Sequence, residues 1–207
     1  MYTLMIKNKQ SILNKLIANK NHFTDYLELL DNLSTNKTDK DFERKFRKFW
    51  GMNRAISHDN FYNKYFSYFN HTNNIELKKL IEDLSERKIN NKGYKTAQLS
   101  FSSKLLHMKN PHLPIFDQHI KHFYFLSDYS EIQPIEKRID TFLNDYKFLK
   151  LEFERIIENK LLGDFPDQIK REFNCEITDE KAIDSIIWAF SSLLSSGAIK
   201  RGEIKFE

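Results

Sequence analysis

Turn-forming residues are scarce in this chain, which contains 5 glycines and 4 prolines among its 207 residues. A sheet protein of this size needs more turn glycines, because tight hairpins place glycine where the backbone takes a positive φ. Apolar residues also recur at helical spacing, with Phe42, Phe46, Phe49 and Trp50 at i, i+4, i+7 and i+8. The sequence therefore predicts an all-α fold, a compact body of about seven to nine helices.

No internal repeat or low-complexity linker divides the chain, so residues 1–207 are predicted to form one helical domain, or two helical halves flanking a cleft. One helix is predicted to span residues 13–30, and another begins near Thr38 or Asp39. A long helix begins after Thr178, a good N-cap that is followed by two acidic residues. Trp188 faces away from the apolar stripe of that helix, so it is expected to pack on a neighbouring helix.

Two polar segments near the middle and the end of the chain are less helical. The segment NHTNN predicts a turn, and the tail AIKRGEIKFE suggests a short strand. No apolar run reaches the ~20 residues that span a bilayer, and the first residues are too polar for a signal peptide. The expected location is therefore the cytoplasm, with no membrane partner.

The charge and the cysteine content limit the possible partners and sites. The net charge of +4 permits a polyanionic partner, although 29 acidic residues are mixed with 33 basic ones. One cysteine, Cys175, excludes an internal disulfide and a cysteine-rich zinc site, and it is expected to be a small buried or half-exposed thiol. His119 and His122 stand at i, i+3 without an acidic partner at a fixed spacing, so no zinc site is predicted.

The segment SFSSKLLHMKNPHLPIFDQHI combines two residues that could carry chemistry. On a helix over Thr96–Met108, Lys104 lies beside the apolar stripe, between the small side chains of Ser100 and Ser103. Desolvation at such a position favours the neutral amine, which is a nucleophile. In the alternative interpretation, the lysine extends along the surface to reach water.

The second residue follows two prolines. Pro111 and Pro114 favour an extended passage, because residues before proline avoid the helical region. Asp117 then stands at the N-cap or in the first turn of QHIKHFYFL, where the helix N–H groups would hold its carboxylate. From chemistry alone, Asp117 is either a helix cap or a positioned carboxylate for a reaction.

Three segments carry a resemblance to a known family, and they span roughly Phe46–Trp188: FWGMNRAISHDNFYNKYF, FSSKLLHMKNPHLPIFD and KAIDSIIW. The lysine-bearing helix, the proline-containing crossover and the segment PIFDQHI resemble the helix-hairpin-helix DNA glycosylases, above all the 8-oxoguanine glycosylase branch. The match looks closer still to a group of bacterial proteins described as having an 8-oxoguanine-glycosylase fold.

The resemblance implies a DNA glycosylase, with or without lyase activity, that removes an oxidised or otherwise modified base after flipping it out of the duplex. Lys104 would attack the sugar C1′, and Asp117 would stabilise the cationic sugar or orient the amine. The family's lysine follows a hairpin, so Lys95 in GYKTA is an alternative nucleophile. The resemblance implies neither a metal nor another cofactor.

The same resemblance implies contacts with DNA, which is expected to be double-stranded. The family's hairpin normally reads Gly-hydrophobic-Gly and binds a DNA phosphate through its backbone amides, whereas this chain offers only Gly93 in NNKGYKTA, or the serines of SFSS. Asn53 and Arg54 lie where related enzymes place a residue that fills the space left by the flipped base. Further candidates for DNA contacts are basic or imidazole side chains: Lys45, Lys48, Lys109 and His119.

Two other functions are compatible with the sequence. The protein could be a non-catalytic DNA- or protein-binding member of the same fold, which the missing hairpin glycine favours. It could also belong to a bacterial defence locus that senses or excises modified phage bases. A retained lysine and aspartate pair favours an enzyme in either setting.

Overall fold

The computed structural model describes residues 1–19, 21–70, 75–93 and 95–205. Within these ranges the chain forms eleven α-helices and two 3-10 helices and contains no β-strand, which confirms the all-α prediction. The α-helices are α1 (Tyr2–Lys7), α2 (Lys9–Ala18), α3 (His22–Ser34), α4 (Lys40–Phe49), α5 (Asp59–Asn70), α6 (Leu77–Ser85), α7 (Leu99–Lys109), α8 (Gln118–Phe123), α9 (Ile135–Glu158), α10 (Phe165–Glu172) and α11 (Asp179–Ser195). The 3-10 helices are Met52–Arg54 and Tyr129–Glu131.

Backbone contacts divide the chain into two compact units. Unit 1 comprises Met1–Phe23, Pro111–Ser127 and Tyr146–Glu207. Unit 2 comprises Thr24–Asn110 and Asp128–Asp145. Each unit contains its own set of buried apolar side chains.

Helix α11 is the central element of unit 1 and packs against α2, α8 and α10. Ile183, Ile186 and Phe190 are completely buried, and buried residues surround most of the helix. A helix enclosed in this way must be apolar around most of its circumference, which explains its composition. It begins as predicted, because the Thr178 hydroxyl oxygen accepts a hydrogen bond from the Lys181 N–H at 3.2 Å.

An aromatic cluster on α4 and α5 forms part of the core of unit 2. Phe46 is completely buried, and its ring centroid lies 5.5 Å from that of Phe66 and 5.8 Å from that of Tyr65. Helix α4 begins close to the predicted start, since Asp39 caps it by accepting hydrogen bonds from two backbone N–H groups, and Gly51 follows its C-cap with φ +68°. Truncating Phe46 to alanine would cost about 3–5 kcal/mol of stability, because the cavity could not collapse completely.

The N-terminal region differs from the prediction. The single helix expected over residues 13–30 is two helices, because α2 ends at Ala18 and α3 begins at His22. Asn19 lies at this break, and asparagine favours helix ends because its side chain competes for backbone hydrogen bonds. Such short helices raise the number of described α-helices above the seven to nine that the sequence predicted.

The described part of the tail forms turns and no strand, contrary to the suggestion from the sequence. Its backbone is bound by a side chain instead, since the amide of Asn8 donates to the Lys205 carbonyl and accepts from the Lys205 N–H, both at 2.8 Å. The predicted turn NHTNN lies largely outside the described residues. Among the helices that are described, none combines the length and apolar composition required to cross a bilayer.

Candidate active site

Lys104 is one of two buried lysines among the described residues and lies on α7, in unit 2. Its exposed fraction is 8%, and nine of the eleven residues of this helix are buried. The helix begins at Leu99, three residues after the predicted start at Thr96, and Gln98 precedes it without a side-chain cap. The chain therefore places this ammonium group on a helix that is surrounded by protein.

Two aromatic rings border the Lys104 amine. Its Nζ lies 5.2 Å from the ring centroid of Phe101, on the same helix, and 5.6 Å from that of Trp50, at the end of α4. Burial disfavours the charged amine, whereas the negative faces of the rings attract a cation, so the two effects oppose each other. The arrangement holds the amine next to flat apolar surfaces.

The other buried lysine, Lys181, has a structural role that the sequence analysis did not identify. Its exposed fraction is 1%, and its Nζ donates to Asp184 Oδ2 at 2.8 Å, one turn along α11. A buried ion pair of this kind satisfies both charges within one helix. The i, i+3 spacing of lysine and aspartate was the available signal, but it is equally common on exposed helices.

Lys95, the alternative nucleophile, lies in the segment before α7 and is half-exposed. Its Nζ lies 3.0 Å from Glu86 Oε2 in an exposed ion pair. Gly93 takes φ +80°, a backbone conformation that side chains with a Cβ rarely adopt, so glycine is required there. The residue between them in the GYKTA motif, Tyr94, lies outside the described residues.

Asp117 is the N-cap of α8, as predicted, and belongs to unit 1. Its Oδ1 accepts a hydrogen bond from the Ile120 N–H at 2.9 Å. No hydrogen bond from a described residue reaches its other carboxylate oxygen, Oδ2, and the residue is partly exposed. One oxygen therefore caps the helix, while the other remains available to solvent or a ligand.

The crossover before Asp117 is held by two hydrogen bonds within unit 1. The Thr178 hydroxyl donates to the Pro111 carbonyl, and the Tyr146 hydroxyl donates to the Pro114 carbonyl, both at 2.9 Å. The crossover thus has a fixed path, with several buried apolar residues. Lys104 belongs to unit 2, so the pairing of Lys104 with Asp117 stays a prediction from the sequence.

The predicted DNA contacts occupy different environments. Lys45 forms ion pairs with Glu28 and Asp41. The Lys109 amine donates to the Tyr68 carbonyl at 3.1 Å, and burial lowers its pKa. Both amines therefore already have partners within the protein.

Three other candidates are exposed close to Trp50 in the chain. Lys48 lies in the last turn of α4, and Asn53 and Arg54 lie in the 3-10 helix that follows. Among the ion pairs between described residues, none includes Lys48 or Arg54. Lys48 and Arg54 are thus the better placed for contacts with an anionic ligand.

His119 lies against Trp188 in unit 1, with an edge-on ring contact and centroids 6.0 Å apart. The Trp188 ring also stacks on His22 of α3, with centroids 5.5 Å apart and planes 11° from parallel, so the prediction that it packs on a neighbouring helix is confirmed. Burial, and secondarily the charge of Lys181, lowers the pKa of His22 to about 3. The three rings form a cluster that the sequence analysis did not predict, because His22, His119 and Trp188 lie far apart in the chain.

The remaining histidines have other surroundings. His107 is completely buried, with its Nε2 2.8 Å from the Tyr26 hydroxyl, and His112 lies 3.3 Å from Glu180. In the part of the chain that the structure describes, no group of three or more His, Cys, Asp or Glu side chains could hold a metal ion. Cys175 is buried, and burial raises the pKa of its thiol, so it is a poor nucleophile.

Comparisons with known proteins give no family for this chain. No protein-family model matches it, and neither the curated proteins nor the solved structures contain a match.

Proposed function

We propose that the protein is a DNA N-glycosylase that removes an oxidised or otherwise modified base, with Lys104 as the nucleophile. The observation that carries this proposal is the buried amine of Lys104 between the rings of Phe101 and Trp50. Burying a lysine side chain is costly, and an amine held beside flat aromatic surfaces suits attack on the sugar of a stacked base. The family resemblance of the segment FSSKLLHMKNPHLPIFD supports the same role.

In the proposed reaction, the Lys104 amine forms a bond to the sugar C1′. The bond between C1′ and the base breaks, and the base leaves with the electron pair and takes up a proton from solvent. Loss of a proton from the bound amine and opening of the sugar ring then give an imine, from which the strand can be cleaved. From the family resemblance, Asp117 would supply the negative charge that stabilises the cationic sugar.

Exposed cations close to Trp50 in the chain support DNA as the partner. Lys48 precedes the tryptophan, and Arg54 follows it in the 3-10 helix. We assign phosphate contacts to these two side chains, because Lys45 already has two carboxylate partners. Asn53 would fill the space that the flipped base leaves in the duplex.

Trapping with borohydride tests the nucleophile, because the reagent reduces an imine to a stable covalent adduct. Duplexes carrying candidate oxidised, alkylated and deaminated bases would be incubated with the wild-type protein, Lys104→Gln and Lys95→Gln. We expect an adduct with the wild type and with Lys95→Gln, and none with Lys104→Gln, provided that circular dichroism shows that all three are folded. An adduct that is lost only in Lys95→Gln would refute the assignment to Lys104.

A specific observation favours a second function, a DNA-binding module without chemistry. Gly93 is the only glycine in the segment between α6 and α7, so a hairpin with two glycines is missing. The ion pair between Lys95 and Glu86 in the same segment also neutralises one of its cations. Salt-dependent duplex binding without an adduct for any lesion in the panel would favour this function over the enzyme.

A further inference from the structure

An exposed aromatic patch lies in unit 1, and none of its residues belongs to the candidate active site. The patch consists of Phe125, Phe148 and Leu151, whose exposed fractions are 85%, 44% and 57%. The rings of Phe148 and Tyr124 meet edge-on with centroids 5.7 Å apart, and Phe125 is the next residue after Tyr124. The patch therefore joins the end of α8 to the exposed face of α9.

The backbone at Phe125 is strained. Its φ is +54°, in the left-handed region that favours glycine. The Phe125 N–H donates to the His122 carbonyl at 3.3 Å, and the Leu126 N–H donates to the Lys121 carbonyl at 3.0 Å. These two bonds form a Schellman motif, in which the left-handed residue after the helix is usually glycine.

The chain thus places a large ring at a position where glycine would have less backbone strain, and it leaves that ring almost completely in solvent. Burial does not compensate for the strain, because the side chain has little contact with the protein. The other described residues with positive φ are glycine, asparagine or lysine, for example Gly51, Gly197, Asn36, Asn174 and Lys160. Phe125 is the aromatic exception, which indicates that its side chain has a use outside the fold.

Exposed lysines accompany the patch, and the exposed carboxylates of Glu154 and Glu158 lie farther along the same helix. Lys147 lies four residues before Leu151, on the same face of α9, and Lys150 lies one turn after Lys147; neither lysine forms an ion pair with a described residue. Arg155 is exposed on the same helix, although it is bound to Glu152. Exposed rings together with lysines on the exposed side of the same helix complement a ligand that carries both flat bases and phosphates.

We propose that the aromatic patch binds unpaired nucleotides of a nucleic-acid strand. Phe125 and Phe148 stack on bases, Leu151 contacts a base or sugar, and Lys147 and Lys150 contact phosphates. This inference rests on the proposed function for its partner class, DNA, and it adds a second contact surface for single-stranded DNA.

The surroundings of the patch favour a nucleic acid over a membrane. A helix that lies in a membrane surface has a continuous apolar face along its length. The exposed face of α9 carries Phe148 and Leu151 among polar and charged residues such as Asn144, Lys147 and Glu154. Two or three apolar side chains suit contact with a few bases better than insertion into lipid.

Fluorescence anisotropy with a labelled oligothymidine of about 20 nucleotides tests the proposal, since single binding domains cover ~4–16 nucleotides. We expect Phe125→Gly to weaken binding by roughly five- to a hundredfold, as loss of one stacked base would. Its melting temperature should be unchanged or higher, because glycine relieves the strain. Phe125→Trp should retain binding, and Ile17→Ala, which truncates another exposed apolar side chain of unit 1, should have no effect.

Equal affinity of Phe125→Gly and the wild type for the oligonucleotide would overturn the proposal. Binding to anionic vesicles, or self-association in ultracentrifugation, that is lost in Phe125→Gly without any oligonucleotide binding would also overturn it and indicate lipid or a second copy instead. The trapping experiment separates this result from the proposed function. An adduct without oligonucleotide binding rejects only the patch, whereas patch-dependent binding without an adduct rejects only the chemistry.

Discussion

Replacing Asp117 with asparagine separates its structural role from a catalytic one. The Oδ1 atom accepts the Ile120 N–H at 2.9 Å, whereas Oδ2 receives no hydrogen bond from a described residue. Asparagine retains an oxygen for the cap and loses the negative charge. Alanine loses both, so the two variants differ in the cap alone.

The cost of each change follows from that single capping bond. Asn and Asp cap helices about equally well, whereas replacing either with alanine costs about 0.5–2 kcal/mol of stability. For a chain of this length, 1 kcal/mol corresponds to a shift of about 2–4 °C in melting temperature. We therefore expect Asp117→Ala to melt about 1–8 °C below the wild type, and Asp117→Asn to melt within about 1 °C of it.

Thermal unfolding and base release should be measured on the same preparations. Asp39→Asn is the matched control, because Asp39 caps α4 in the same way and has no proposed catalytic role. If the carboxylate charge is needed, Asp117→Asn is folded and inactive, while Asp39→Asn is folded and active. Full activity of Asp117→Asn on a proven substrate would refute the catalytic role, and a melting temperature as low as that of Asp117→Ala would refute the capping argument.

Three further predictions follow from single contacts. Lys48→Gln should reduce the slope of log affinity for duplex DNA against log salt by about 0.9, whereas Lys45→Gln, whose amine is already paired, should leave the slope unchanged in the same titration. Asp184→Leu should cost about 3–5 kcal/mol in urea unfolding, because it removes a carboxylate that is ion-paired with the buried Lys181 amine, and adding Lys181→Met should recover much of that loss. Burial lowers the pKa of His22 from 6.5 to about 3, so between these values the unfolded chain binds a proton that the folded chain does not. The free energy of unfolding should therefore fall by up to about 2 kcal/mol from pH 6.5 to 5. His22→Gln should remove this pH dependence, and an unchanged slope of the unfolding free energy against pH would contradict the reasoning.

Local signals in the sequence predicted the helices that have strong caps. Asp39 and Thr178 accept backbone hydrogen bonds at the starts of α4 and α11, and Asp117 does so at α8. A cap is a contact within three residues, so the sequence contains all the information that it requires. The break between α2 and α3 was missed because its apolar spacing continues across Asn19, and spacing alone does not register a polar interruption.

The surroundings of the candidate residues could be predicted only in part. The position of Lys104 beside an apolar stripe predicts burial, because the stripe lies on the same helix. Contact of its amine with Trp50, on another helix, depends on tertiary packing, which helical periodicity does not specify. The strain at Phe125 was not predicted either, because its sequence contains no glycine or asparagine to mark a left-handed residue.

The cap at Asp117 and a catalytic carboxylate are compatible functions for one side chain. A carboxylate that stabilises a charged sugar must be held in place, and the hydrogen bond from the Ile120 N–H to Oδ1 holds it without occupying Oδ2. The hydrogen bonds that fix the crossover at Pro111 and Pro114 restrict the backbone leading to the same residue. Stability measurements alone therefore cannot decide between a cap and a catalyst, since both require the same hydrogen bond. The charge on the second oxygen is the property that distinguishes them, and Asp117→Asn changes that charge while keeping an oxygen for the cap.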